Sequence, residues 1–300
     1  MTDFSVKMKA VETSNFIRLL PILLGDFVPE DDPVWGILIN FVRLVQLQLS
    51  PVFNGEECQL LADLTEEFLS SFYSHFGDVN VKPKSHFLVH YPTQILETGP
   101  PVDHDTVRFE GKHNHFKEVY NRSKNRVNIV KTLAKRHQFY MYLHYRNQNL
   151  LTPDAPTTTG SELVSLDKIS DSEMKRVMTQ CLSGESMINL HSMVKMEGII
   201  YAQGTAVVLS FLDDTFQFGC IQHCFFRGQT LYLFCQIMST THFNQHYNSY
   251  EVAFTENFEV FKVSDLLDIN PVGLYQVRGL PNSWLVPLKH YLRIPDEENV

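Results

Sequence analysis

Thr152-Pro153-Asp154-Ala155-Pro156-Thr157-Thr158-Thr159-Gly160-Ser161 divides the chain into two parts with different hydrophobic periods. The stretch is small, polar and proline-bearing, the composition of a linker or surface loop. Before it, apolar residues recur at helical spacing; after it, short runs of β-forming residues alternate with turn signals. Reading outward gives an α+β chain with a helical region over 1–150, a linker with a short helical segment over 151–190, and a β-rich module over 191–300.

Downstream, residues 199–201, 206–211, 219–226, 231–237 and 250–254 are strand candidates. Asp213-Asp214, Arg227-Gly228-Gln229 and Asn248-Ser249 are turn-like separators between them. Short strands at this spacing predict a small antiparallel β-barrel-like module or a sandwich. The tail 295–299 is expected to fray.

Upstream, Phe16, Leu19, Leu20, Leu23 and Leu24 mark a first helix, in which Pro21 predicts a kink or a split. Asp32 caps a second helix with Pro33 in its first turn, and Asn54-Gly55 precedes a third that Gly77-Asp78 stops. Their apolar faces suffice for a packed bundle. Pro83 suits another helix start, Gly99-Pro100-Pro101 breaks the chain, and two helices follow, over 106–120 and 127–146. In the last one, Val127, Val130, Leu133, Ala134 and His137 are expected to face one way, with Lys131, Lys135 and Arg136 elsewhere.

With 44% apolar and 20% charged residues, and 22 phenylalanines, the chain can bury a substantial core. It offers no uninterrupted apolar run long enough for a membrane span, and residues 1–9 lack the pattern of a signal peptide. Five cysteines without framework spacing fit a reducing, intracellular compartment.

Charge is distributed unevenly. Between Lys82 and Arg146 twelve Lys or Arg stand against five Asp or Glu, so that of totals of 25 and 34 the remainder holds 13 basic and 29 acidic residues. A local excess of this kind points to a polyanionic partner, although a solvated helix face produces the same composition. The candidate phosphate-contacting residues are Lys82, Lys84, Arg108, Lys112, Lys117, Arg122, Lys124, Arg126, Lys131, Lys135 and Arg136. Phe87, Phe109, Phe116, Tyr120, Phe139 and Tyr140 interleave with them, and most of these rings are expected in the core. From Leu151 onward 17 acids face nine bases, which argues against a DNA clamp there.

Glu110, beside Arg108, Lys112 and His113, suits either a divalent-metal ligand in phosphoryl transfer or one half of a surface ion pair. His113 and His115 are two apart and diverge on a helix; His86 and His90, at i and i+4, share a face without a third ligand in the pattern. Cys220, Cys224, His242 and His246 resemble a zinc-finger order only weakly, because two cysteines four apart in a strand are separated by about 13 Å. No Gly-rich phosphate loop, Gly-x-Ser-x-Gly elbow or His-Glu-x-x-His motif is present.

Several of these motifs in order resemble one family. Lys82-Pro83-Lys84-Ser85-His86-Phe87-Leu88-Val89-His90-Tyr91-Pro92, Gly99-Pro100, Arg108-Phe109-Glu110-Gly111-Lys112-His113 and Thr132-Leu133-Ala134-Lys135-Arg136-His137-Gln138 resemble the C-terminal part of animal CACTA (En/Spm)-like transposase-derived proteins. Leu24-Gly25-Asp26 and 28–33 extend the likeness, which covers about residues 8 to 150, and the β-rich part resembles the small module that follows in such proteins.

The resemblance implies the late helices of a ribonuclease-H-like core that cuts DNA with three acids and Mg2+, with Glu110 matching the last acid. It places the first two acids and the central sheet upstream of residue 1. A chain beginning at this methionine is therefore expected to be a truncated or domesticated product, non-catalytic alone and without a cofactor of its own. The resemblance thus implies a nuclear, DNA-associated role through 82–146; the alternatives are a scaffold that binds a protein through the β module and one part of a complete transposase.

Overall fold

The computed structural model describes residues 8–77, 83–104, 107–123, 127–146, 155–168, 172–181 and 187–293; at 10, 11, 107–112, 144 and 168 it describes the backbone only. Helices α1 (Ala10–Leu24), α2 (Pro33–Gln48), α3 (Gly55–Phe76), α4 (Pro83–Leu88), α5 (Tyr91–Thr98), α6 (Val107–Arg122) and α7 (Ile129–Arg146) precede the sheet, and α8 (Ser172–Cys181) lies within the β-rich part. Among the described residues no helix is long and apolar enough to cross a membrane.

Local chemistry fixes the helix ends. Asp32 accepts hydrogen bonds from Val34 N at 2.8 Å and Trp35 N at 3.0 Å, with Pro33 supplying a preset φ at the first position. Asn54 caps α3 through Glu56 N and Glu57 N, while Glu57 returns an acceptor to Asn54 N at 2.7 Å. Pro21 does not split α1. The helix continues to Leu24, and Gly25 N bonds to Pro21 O. Pro21 and Ile22 are buried, so packing offsets the one backbone bond that proline forgoes.

The strands are β1 (Thr157–Ser165), β2 (Met187–Met196), β3 (Ile199–Ala202), β4 (Ala206–Leu212), β5 (Thr215–Arg227), β6 (Thr230–Asn244), β7 (Ser249–Lys262), β8 (Asp268–Val272) and β9 (Trp284–Val286). They form one antiparallel sheet in the order β1-β2-β5-β6-β7-β9, with β3 on β2, β4 on β5 and β8 on β4. The sheet curls into a half-barrel. Five strands were readable from sequence patterning; β1, β2, β8 and β9 are additional. The segment expected to be a linker thus contains a strand from Thr157, paired with β2 from Thr157↔Lys195 to Ser165↔Met187.

Strand β5 explains the curl. Its Thr215–Cys220 end pairs with β4, whereas Cys224 and Phe225 pair with β2, so one edge serves two partners in succession. A register shift between Ile221 and His223 marks the changeover. The extra residue at a bulge bends the strand and reverses which side chains face inward. On one side of it Phe218 and Cys220 pack with Ala206, Val208, Met238 and Val252. On the other, Cys224 packs with Val194, Tyr201, Leu233 and Cys235, and Phe225 joins Phe234 and Met178 of α8.

The first helices are fastened to this sheet. Trp35 Nε1 donates to His246 O at 3.1 Å, Gln46 Nε2 to Leu288 O at 2.8 Å, and Tyr291 N to Gln46 O at 3.0 Å. Asn248 Nδ2 donates to Gln46 Oε1 at 2.8 Å, and Ile22 of α1 packs with Tyr247, Val277 and Leu285. Gly25 lies against the Tyr247 ring: a Cβ there would approach Tyr247 Cδ1 to 2.7 Å. Gly25→Ala is therefore expected to cost about 1–3 kcal/mol by overpacking, measured by urea unfolding, despite the ordinary helical φ of −55°.

Asp26 completes the fastening. It accepts from Tyr247 Oη at 2.8 Å, Arg278 N at 2.8 Å and Gly279 N at 3.0 Å. The Tyr247 hydroxyl, followed by the two backbone N–H groups, holds the Asp26 carboxyl below its ordinary value, while burial and then Asp26 push Tyr247 up to about 12. A depressed carboxyl contributes stability that is full above its unfolded value of 3.8 and is lost as pH falls through the lower folded value. Asp26→Asn is expected to flatten the acid limb of a stability–pH curve below about pH 4, and to lower stability by a constant amount from about pH 5 to 8, where the carboxylate contribution is complete.

Candidate nucleic-acid interface

Helices α6 and α7 pair through aromatic and imidazole side chains. The His115 and Tyr140 ring centroids are 5.1 Å apart, and those of Phe116 and His137 are 5.4 Å apart. This contact consumes the α7 face that carries Leu133 and His137. Val127 and Val130, expected on the same buried face, are instead 75% and 76% exposed. The helix begins at Ile129, and its inward row runs Ile129, Leu133, His137 and Met141, leaving Val130 a quarter-turn outside.

The opposite face of α7 carries Lys131, Lys135, Phe139, Tyr142 and Arg146 at i, i+4, i+8, i+11 and i+15, all exposed. No acid occurs from Val127 to Arg146. Phe139 is 68% exposed, Phe87 57% and Tyr140 45%, contrary to the expectation that most of the aromatics interleaved with the cations belong to the core; Tyr142, outside that set, is 57% exposed. Phe116 and Tyr120 are half-buried. Periodicity could place the rings on a face but not determine what covers it. Tyr142, Tyr145 and Arg146 are also exposed on α7 but are not among the candidates singled out from sequence, although their spacing from Lys131 and Lys135 is available there.

The remaining predicted cations fall into three groups. Lys84 on α4, Lys117 and Arg122 on α6, and Lys131, Lys135 and Arg136 on α7 are exposed. Arg108 and Lys112 lie on α6 with only the backbone described, as does Glu110, and Lys82, Lys124 and Arg126 lie outside the described residues. Arg122 is 3.6 Å from Glu118, but both side chains are largely exposed, so the pair is weak and leaves the cation usable.

Chemistry at Glu110 would require two further acids on neighbouring strands. Among the described residues the segment before Thr157 contains no strand, and no group of three or more His, Cys, Asp or Glu is placed to hold a metal.

The zinc-like set is dispersed. Cys220 and Cys224 belong to different core clusters because the bulge between them changes facing. Burial pushes their thiols up to about 11 and about 12, away from the thiolate form that binds metal. His242 is an exposed neighbour of Glu251 at 3.6 Å, whereas His246 Nε2 lies 2.9 Å from Gly25 O.

The arrangement therefore exposes cations and aromatic rings, and among the described residues no acid cluster is assembled beside them. Comparison with protein-family models, curated proteins and solved structures finds no match to this chain.

Proposed function

We propose that the protein binds nucleic acid through the exposed face of α7, supplemented by Lys117 and Arg122 of α6, and that it does so as a transposase-derived nuclear protein rather than as a strand-transfer enzyme. The observation carrying this reading is the stripe Lys131, Lys135, Phe139, Tyr142 and Arg146, exposed and unaccompanied by any acid on its helix. Cations neutralise phosphates, and exposed rings stack on unpaired bases, which favours single strands over duplex. A complete triad with Mg2+ would require acids additional to Glu110, so no catalytic step is assigned.

Fluorescence anisotropy with labelled single-stranded and duplex oligonucleotides across a salt series tests the reading. Saturable binding that weakens steeply with salt supports it; no binding to either form at low salt overturns it.

The exposed outer edge of β1 favours a second reading. It is the terminal strand of the sheet, with residues from Thr157 to Leu163 exposed, and can accept an extended peptide by strand addition. Retention of a protein partner by the wild type but not by a Thr159→Pro variant, which cannot donate at that position, would support it.

A further inference from the structure

His86 and His90 present their Nε2 atoms to each other at 3.1 Å, with ring centroids 4.7 Å apart and planes at 88°. Both rings are exposed, and among the described residues neither makes another hydrogen bond. For metal–nitrogen bonds of about 2.0–2.1 Å, a separation of 3.1 Å corresponds to a nitrogen–metal–nitrogen angle of about 95–102°. That angle lies between those of square-planar or octahedral coordination, about 90°, and tetrahedral coordination, about 109°.

We infer that His86 and His90 form a chelating site for a late first-row divalent cation, Zn2+, Ni2+ or Cu2+, whose remaining positions are left to water or an incoming ligand. Without metal, one Nε2 carries the hydrogen and the other accepts it; on binding, that hydrogen moves through solvent to Nδ1 of the same ring, and the ion, lying off the line between the two nitrogens, bonds both freed lone pairs after the rings turn toward it.

The local sequence makes this possible. Pro83 starts α4, the i, i+4 spacing stacks the two imidazoles on one side, and the turn at Val89-His90 before α5 brings the second ring into line. The donor chemistry selects the ion. Imidazole nitrogen suits these metals, whereas Mg2+ and Ca2+ require oxygen ligands, and the charged neighbour on α4 is the cation Lys84. The site is independent of nucleic-acid binding by α7.

Isothermal titration of Zn2+ into the full chain in a non-chelating buffer, together with Cu2+ electron paramagnetic resonance, tests the proposal. The wild type is expected to take up one ion at this site and to show two nitrogen ligands. His86→Ala and His90→Asn, the latter retaining a capping residue before α5, are each expected to weaken uptake by about 100-fold as the chelate becomes a single ligand. Each variant should show one nitrogen at this site, and His104→Ala should titrate like the wild type. Both altered side chains are exposed, so unchanged circular dichroism is expected to accompany the loss. Absence of saturable uptake by the wild type, or wild-type uptake by either His86→Ala or His90→Asn, overturns the assignment.

Discussion

Trp35→Ala is expected to lower stability by about 3–5 kcal/mol, the range for removing a buried tryptophan side chain. Trp35 is 5% exposed, its ring lies 5.2 Å from that of His246, and its Nε1 satisfies the carbonyl of the same residue. Truncation opens a cavity at the junction of α2 with the β6–β7 turn and leaves that carbonyl without its donor. Trp35→Phe retains most of the volume and should cost about 1–2 kcal/mol, mainly for the lost hydrogen bond.

The remaining tryptophan, Trp284 on β9, reports on the sheet alone. Urea unfolding followed by Trp284 emission and by far-ultraviolet circular dichroism should shift in both signals together. A helical transition that moves while the Trp284 transition stays in place would show that the helices and the sheet melt separately, contrary to the bonds that link them.

The second large effect concerns binding. Neutralising Lys131, Lys135 and Arg146 together to Gln should weaken single-strand binding by about 100-fold near 0.1 M salt and reduce the magnitude of the salt slope by about two to three units, because each phosphate contact releases counterions. All three side chains are exposed, and glutamine sustains a helix, so the fold should survive. Phe139→Ala and Tyr142→Ala separate stacking from charge: affinity should fall with an almost unchanged salt slope. If the triple variant binds like the wild type, the α7 face is not the contact surface.

Where structure is decided within a few residues, the sequence was informative. Asp32 and Asn54 announce their helices because a cap is a local arrangement, and Gly77 and Gly99 end theirs for the same reason. Strands β4 to β7 were visible as dense β-branched and aromatic runs. Strand β1 was hidden because Thr157-Thr158-Thr159-Gly160-Ser161 reads as a loop until β2 lies beside it; its threonines were the available signal. Strand β8 contains Pro271, and β9 is only three residues long.

The docking of helices on the sheet had no readable signature. Its polar part is made by single groups of Asp26, Trp35 and Gln46, and its apolar part by Ile22 against Tyr247, Val277 and Leu285, all with partners more than 200 residues away. At the candidate interface the cations were legible from composition. The exposure of Phe139 and Tyr142 was not, because it depends on which α7 face α6 covers.

That long-range docking also sets an order of events during synthesis. Gln46 finds its partner at Leu288 across 242 residues, which at ribosomal speeds is a delay of about 12–48 s. Through that interval the newly made faces around Ile22 and Trp35 have no sheet to rest on, and a folding helper that shields apolar helices has a defined period in which to act. Slowing elongation late in the chain should then reduce the soluble yield more than slowing it early, because it prolongs the wait of surfaces already exposed.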